Sequence, residues 1–281
     1  MRSFKIRKRE KPIFISKAAF VNVTLMAGIA VFVGLATMTG RLVSQGILPG
    51  DTVVVAPGPT ASADSGANTE GEYKTIRVEA EDHYFVQFGV FANEENARTC
   101  AESIIAKGGA GYIKSIEGKH FVFAMGYSVG DDAKTVVSQL KAQGYSTLMK
   151  CYSHDGLELN VKGSDESIER LTAAYNGANG IDDELERIIF EYDKKEYDAN
   201  TLKQKLTALM DKIEVYGDCF GAYGEQNKIF EDAKVYCEGI CADISEIIAH
   251  DDEAELASLL KFVYINGIFN WIEYLDNAVI A

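Results

Sequence analysis

Apolar and polar positions divide the chain into four stretches. From Ala18 to Gly40 no charged residue occurs, a run of 23 bounded by Lys17 and Arg41. At ~1.5 Å per residue such a helix reaches about 34 Å, enough for a hydrocarbon core of roughly 30 Å, so the pattern predicts a transmembrane helix over 18–40. A cleaved signal peptide would carry a shorter apolar run. Residues 41–80 show no amphipathic period. They are rich in small and turn-forming residues, as in Pro57-Gly58-Pro59 and Ala61-Ser62-Ala63, with one short apolar run at Val53-Val54-Val55. This reads as a flexible linker with an r.m.s. reach of roughly 30 Å. Tyr73–Ala80 fit either the linker or a lead-in to the first strand.

Residues 81–152 alternate between the two-residue and the 3.6-residue period. A strand is predicted at 83–89 and a helix at about 94–107, with Ala97, Cys100, Ala101, Ile104 and Ile105 on one face. Asn93 can cap this helix and Glu94 and Glu95 suit its first turn. Gly108-Gly109 end it. Strands follow at about 110–116 and 120–125, joined by a turn at Glu117-Gly118-Lys119. A second helix at about 130–143 buries Ala133, Val136, Val137 and Leu140, and a last strand covers 146–152.

Beyond Tyr152 helical spacing dominates. Helices are predicted at about 164–176, 181–195, 199–216, 218–249 and 252–278, with breaks at Gly177-Ala178-Asn179-Gly180 and Tyr216-Gly217-Asp218 among others. The last is apolar around much of its girth and carries Trp271, as expected of the central helix of a bundle. Lys261, Glu273 and Asp276 argue against a second membrane span there.

Charge sharpens this division. Residues 1–17 hold seven Lys or Arg against one Glu, whereas residues 160–281 hold eleven Lys or Arg against twenty-six Asp or Glu. The basic tail ahead of the apolar run places residues 1–17 in the cytoplasm and the rest outside, by the positive-inside rule. The acidic C-terminal region argues against a nucleic-acid partner.

The stretch Val86-Gln87-Phe88-Gly89-Val90-Phe91, followed by Asn93 and Ala97, resembles the opening motif of the SPOR (sporulation-related repeat) family. The order strand, helix, strand, strand, helix, strand over 81–152 agrees with it. The resemblance implies an α+β βαββαβ module with an antiparallel four-stranded sheet, two helices on one face and peptidoglycan glycan strands bound on the other. Alternation then assigns Phe85, Gln87, Tyr112, Lys114, His120, Val122 and Met149 to the glycan-binding face. Aromatic rings can stack on the C–H patches of sugars, and the Gln87 amide both donates and accepts hydrogen bonds. Family members often have a small polar residue after the motif Gly, where this chain has Val90. They often carry an aromatic and an Arg on the third strand, where His120 and Val122 stand.

Catalytic signatures are sparse. Glu184, Glu186, Glu191, Glu225, Glu231 and Asp232 read as a solvated acidic surface. No Glu-x-x-His pair occurs on the predicted helices, which disfavours a di-metal bundle. His154 and His250 stand alone in sequence. Cys237 and Cys241, four apart on one helical face, and Cys219 could form a metal or redox site or one disulfide, but read first as small buried residues, and the odd total of five cysteines leaves at least one unpaired within the chain. There is no phosphate loop, nucleophile elbow or zinc-protease motif. The expected architecture is a cytoplasmic tail (1–17), a transmembrane helix (18–40), a linker (41–80), a SPOR-like module (81–152) and an all-α acidic helical bundle (160–281). The expected protein is non-catalytic, anchored in the cell membrane by a single pass, needs no cofactor or metal, and binds peptidoglycan at a division or sporulation septum. The helical domain would recruit a protein partner. The competing expectation is an extracytoplasmic scaffold that binds proteins and has lost its glycan face.

Overall fold

The computed structural model describes residues 53–55, 73–224 and 227–278. The transmembrane helix expected at 18–40 lies outside them. No helix among the described residues is long and apolar enough to cross a membrane.

The elements in chain order are β1 (Val54–Val55), β2 (Lys74–Val78), β3 (Glu81–Phe91), α1 (Glu94–Ile105), β4 (Tyr112–Ile116), β5 (Lys119–Tyr127), α2 (Gly130–Ala142), β6 (Leu148–His154), β7 (Leu157–Lys162), α3 (Asp165–Asn179), α4 (Ile181–Asp193), α5 (Ala199–Gly224), α6 (Lys228–Ala249) and α7 (Leu256–Ala278). Strands β3 to β6 form an antiparallel sheet in the order β4-β5-β3-β6. Asn93 caps α1 as expected, accepting from the Glu95 and Asn96 backbone N–H groups. Helices α1 and α2 pack on one face of the sheet. Ala97, Ala101 and Ile104 of α1 cover Val122, and Tyr84 lies against the start of α2 at Gly130.

A second sheet, order β1-β7-β2, differs from the sequence reading. Val54-Val55, expected in the linker, pair with β7, and the Val53 carbonyl accepts from the Asn227 amide. The lead-in 74–78 does not extend β3. It pairs with β7 from Lys74↔Val161 to Val78↔Leu157. Leu157, Leu159 and Val161 alternate inward with Ile76 and Val78, a two-residue period overlooked between the last module strand and the first bundle helix. Gly156 makes the turn into β7 at φ +78, where a Cβ would lie 2.3 Å from the Val78 carbonyl oxygen. The pairing of β2 with β7 brackets everything between them.

In the helical part, the break expected at Tyr216-Gly217-Asp218 is absent. Helix α5 runs through it to Gly224. Gly217 serves helix packing instead, for a Cβ there would come within 3.3 Å of Cys237 on α6. Glu186 also departs from expectation. It is buried, and accepts from the Ser128 backbone N–H at 3.1 Å and from the Ser128 hydroxyl at 2.5 Å, tying α4 to the end of β5. Burial raises its carboxyl pKa, and the two Ser128 bonds hold it back only in part.

Helix α7 is not the centre of a separate bundle. Phe262 and Phe269 face the β3–β6 sheet, while Trp271 packs on Tyr236 of α6 and Tyr274 bonds Tyr175 of α3. The helix is apolar all round because sheet and helices both cover it. Lys261, buried on α7, donates to the Gly108 carbonyl and to Asp193 at 2.8 and 2.9 Å. Ser258 donates to the Ile105 carbonyl. The sheet and helices therefore share one core.

Candidate functional site

The sheet face opposite α1 and α2 carries Phe85 of β3, Tyr112 and Lys114 of β4, Phe123 of β5 and Tyr152 of β6. All five converge on one ring, Phe269 of α7. Phe269 stacks on Phe85 at 4.9 Å and 12° and on Tyr112 at 5.6 Å and 19°. Tyr152 meets it edge-on at 5.0 Å, and Phe123 lies 5.9 Å away. The Lys114 ammonium sits 4.1 Å over the same ring, within cation–π range. Burial lowers the Lys114 pKa and raises that of the Tyr112 phenol. Gly126 lets α7 approach closely, since a Cβ there would meet the Phe85 and Tyr264 rings at 3.0 Å.

Each residue expected on the open face can now be placed. Phe85, Tyr112 and Lys114 occupy the expected face, but α7 covers it. Phe85 is 0% and Tyr112 9% exposed. Gln87 is buried at an irregularity of the β3–β5 ladder, with register shifts on both of its sides. Val122 lies on the other face, beneath α1. His120 shares the side of Val122 by alternation, with its Nδ1 2.8 Å from the Ser115 hydroxyl. Met149 pairs with Val86 and so shares the α2 side. Phe123 and Tyr152 belong to the aromatic platform and were missed. The reason is physical. The sequence reading assumed one covered and one open face, and turned the larger apolar set of the third strand toward the helices. Both faces are covered, so the size of the apolar set cannot tell them apart.

Residues 80–149 match the family model of the SPOR domain. This stretch is a SPOR domain. No curated protein and no solved structure matches the chain. The match takes in β3, α1, β4, β5, α2 and the start of β6, and leaves the β1-β7-β2 sheet and helices α3–α7 outside it. SPOR domains bind peptidoglycan in division proteins and are not catalytic. In this chain the SPOR sheet presents a flat aromatic platform of the sort that stacks on a sugar ring, and Phe269 occupies it.

Proposed function

We propose that this protein is a non-catalytic, membrane-anchored peptidoglycan-binding protein that acts outside the membrane at the division or sporulation septum. The match of residues 80–149 to the SPOR domain carries this reading. The basic tail and uncharged run of residues 1–40 supply the anchor, with the N-terminus cytoplasmic. The acidic helices, on this reading, hold a protein partner. A glycan strand reaches Phe85, Gln87 and Tyr112 only when α7 lifts from the sheet, so binding on this face is gated by the chain's own last helix.

The cover of α7 also favours a second reading, in which the SPOR sheet has become an internal platform for the helical part and the protein is an extracytoplasmic scaffold. Co-sedimentation of the full-length chain with peptidoglycan sacculi separates the two. Sacculi stripped of stem peptides by an amidase should pellet more protein than intact ones, and Phe269→Ala, which loosens the cover, should increase pelleting further. Failure of both wild type and Phe269→Ala to pellet with either preparation would reject the first reading and leave the scaffold.

A further inference from the structure

Away from the Phe269 platform, the β3–β6 ladder brings together residues that stand far apart in sequence. Glu81 and His83 alternate onto one side of β3, and Glu81 pairs directly with His154 on β6. One ligand atom from each of Glu81, His83 and His154 lies within 4.8 Å of the others. Both histidines are almost fully buried, at 2% and 3% exposed, with ring centroids 5.8 Å apart. Neither His83 ring nitrogen, nor Nε2 of His154, makes a hydrogen bond among the described residues. Buried polar atoms without partners are rare in folded proteins and call for an explanation.

We propose that Glu81, His83 and His154 bind a divalent transition-metal ion, zinc before others. Two imidazoles and a carboxylate are a donor set that suits zinc, and three protein ligands leave a position for water. The surroundings are those of a supported site. Asn179, at the end of α3, donates to Glu81 Oε1 at 2.7 Å, and is itself held by the Trp271 indole N–H at 2.8 Å. Asp182, at the start of α4, places Oδ2 3.4 Å from His83 Nδ1. With His83 Nε2 on the ion, the Nδ1–H faces this carboxylate, as in carboxylate–histidine–metal triads. His154 Nδ1 accepts from the Gly156 N–H at 3.2 Å. That contact is given up when Nε2 takes the metal, because the proton then sits on Nδ1. An ion here is held by β3 and β6 and supported from α3 and α4, so it fastens the SPOR sheet to the helices.

The test uses the untagged full-length chain in a mild detergent, stripped with a chelator and dialysed against Zn2+ or Co2+. One ion per chain should remain bound. The Co2+ form should show visible d–d bands without thiolate charge transfer, which separates this site from the five free cysteines. Zn2+ should raise the unfolding temperature. Glu81→Gln and His154→Gln should each weaken Zn2+ binding by about ten-fold or more, with circular dichroism in chelator checking that they fold. Absence of a retained ion in the wild type, a thiolate band in the Co2+ spectrum, or undiminished binding by both folded variants would overturn the proposal.

Discussion

At the scale of single residues, Phe269 and Glu186 make the most exacting tests. Phe269 fills the platform formed by Phe85, Tyr112, Phe123 and Tyr152. Phe269→Ala removes a buried ring from a rigid surround and should cost about 3–5 kcal/mol in urea unfolding. A loss below about 1 kcal/mol would mean that α7 does not rest on the sheet. The folded-state pKa of Glu186 is raised above the ordinary glutamate range, because burial and the nearby Asp183 and Asp132 disfavour its charge more than Ser128 favours it. A raised carboxylate pKa gives stability that is complete below the unfolded value and is lost as pH rises through the folded one. Glu186→Gln removes that loss. The stability of wild type relative to Glu186→Gln should therefore fall as pH rises from the ordinary glutamate range through the raised folded-state value, then level off. Denaturant midpoints at a series of pH values check this, and a difference independent of pH would show that Glu186 is not held in its buried, neutral-favouring place.

At the scale of elements, the sequence made the SPOR part legible because its signals are local. Asn93 as a cap, Gly108-Gly109 as a stop and the two-residue alternation in β3 each depend on near neighbours. What it hid depends on distant partners. Nothing local in Phe121-Val122-Phe123 says which side α1 will cover, and the irregular register around Gln87 follows from pairing with β5. Gly217 resembles a helix end until α6 is seen against it. The approach of His83 to His154 is invisible before β3 and β6 are side by side. Strand β7 is the exception, since Leu157, Leu159 and Val161 alternate plainly and could have been read. Its entry turn gives a further expectation. Gly156→Ala places a Cβ against the Val78 carbonyl in a left-handed conformation, and should destabilise by more than about 1 kcal/mol. Thermal unfolding measures it, and an unchanged midpoint would show that the turn relaxes freely.

At the scale of the whole molecule, the SPOR domain is one layer of a shared core rather than a separate bead. Cut out as residues 80–154, it would expose Phe85, Tyr112, Phe123 and Tyr152 together, a contiguous apolar patch of the sort that drives association. That fragment should bind a hydrophobic dye strongly and self-associate, whereas the intact chain should do neither through this face. A monomeric fragment with no dye binding would show that the platform closes without α7. The β2–β7 ladder has a mechanical corollary. Val78 pairs with Leu157, so the chain enters and leaves the SPOR domain through a single clasp. A pull on the chain at Tyr73 and at Lys162 loads the pairs from Lys74↔Val161 inward, one after another. Until the last of them parts, no tension runs along the backbone of residues 79–156, and load reaches the SPOR domain only through its packing against the helices.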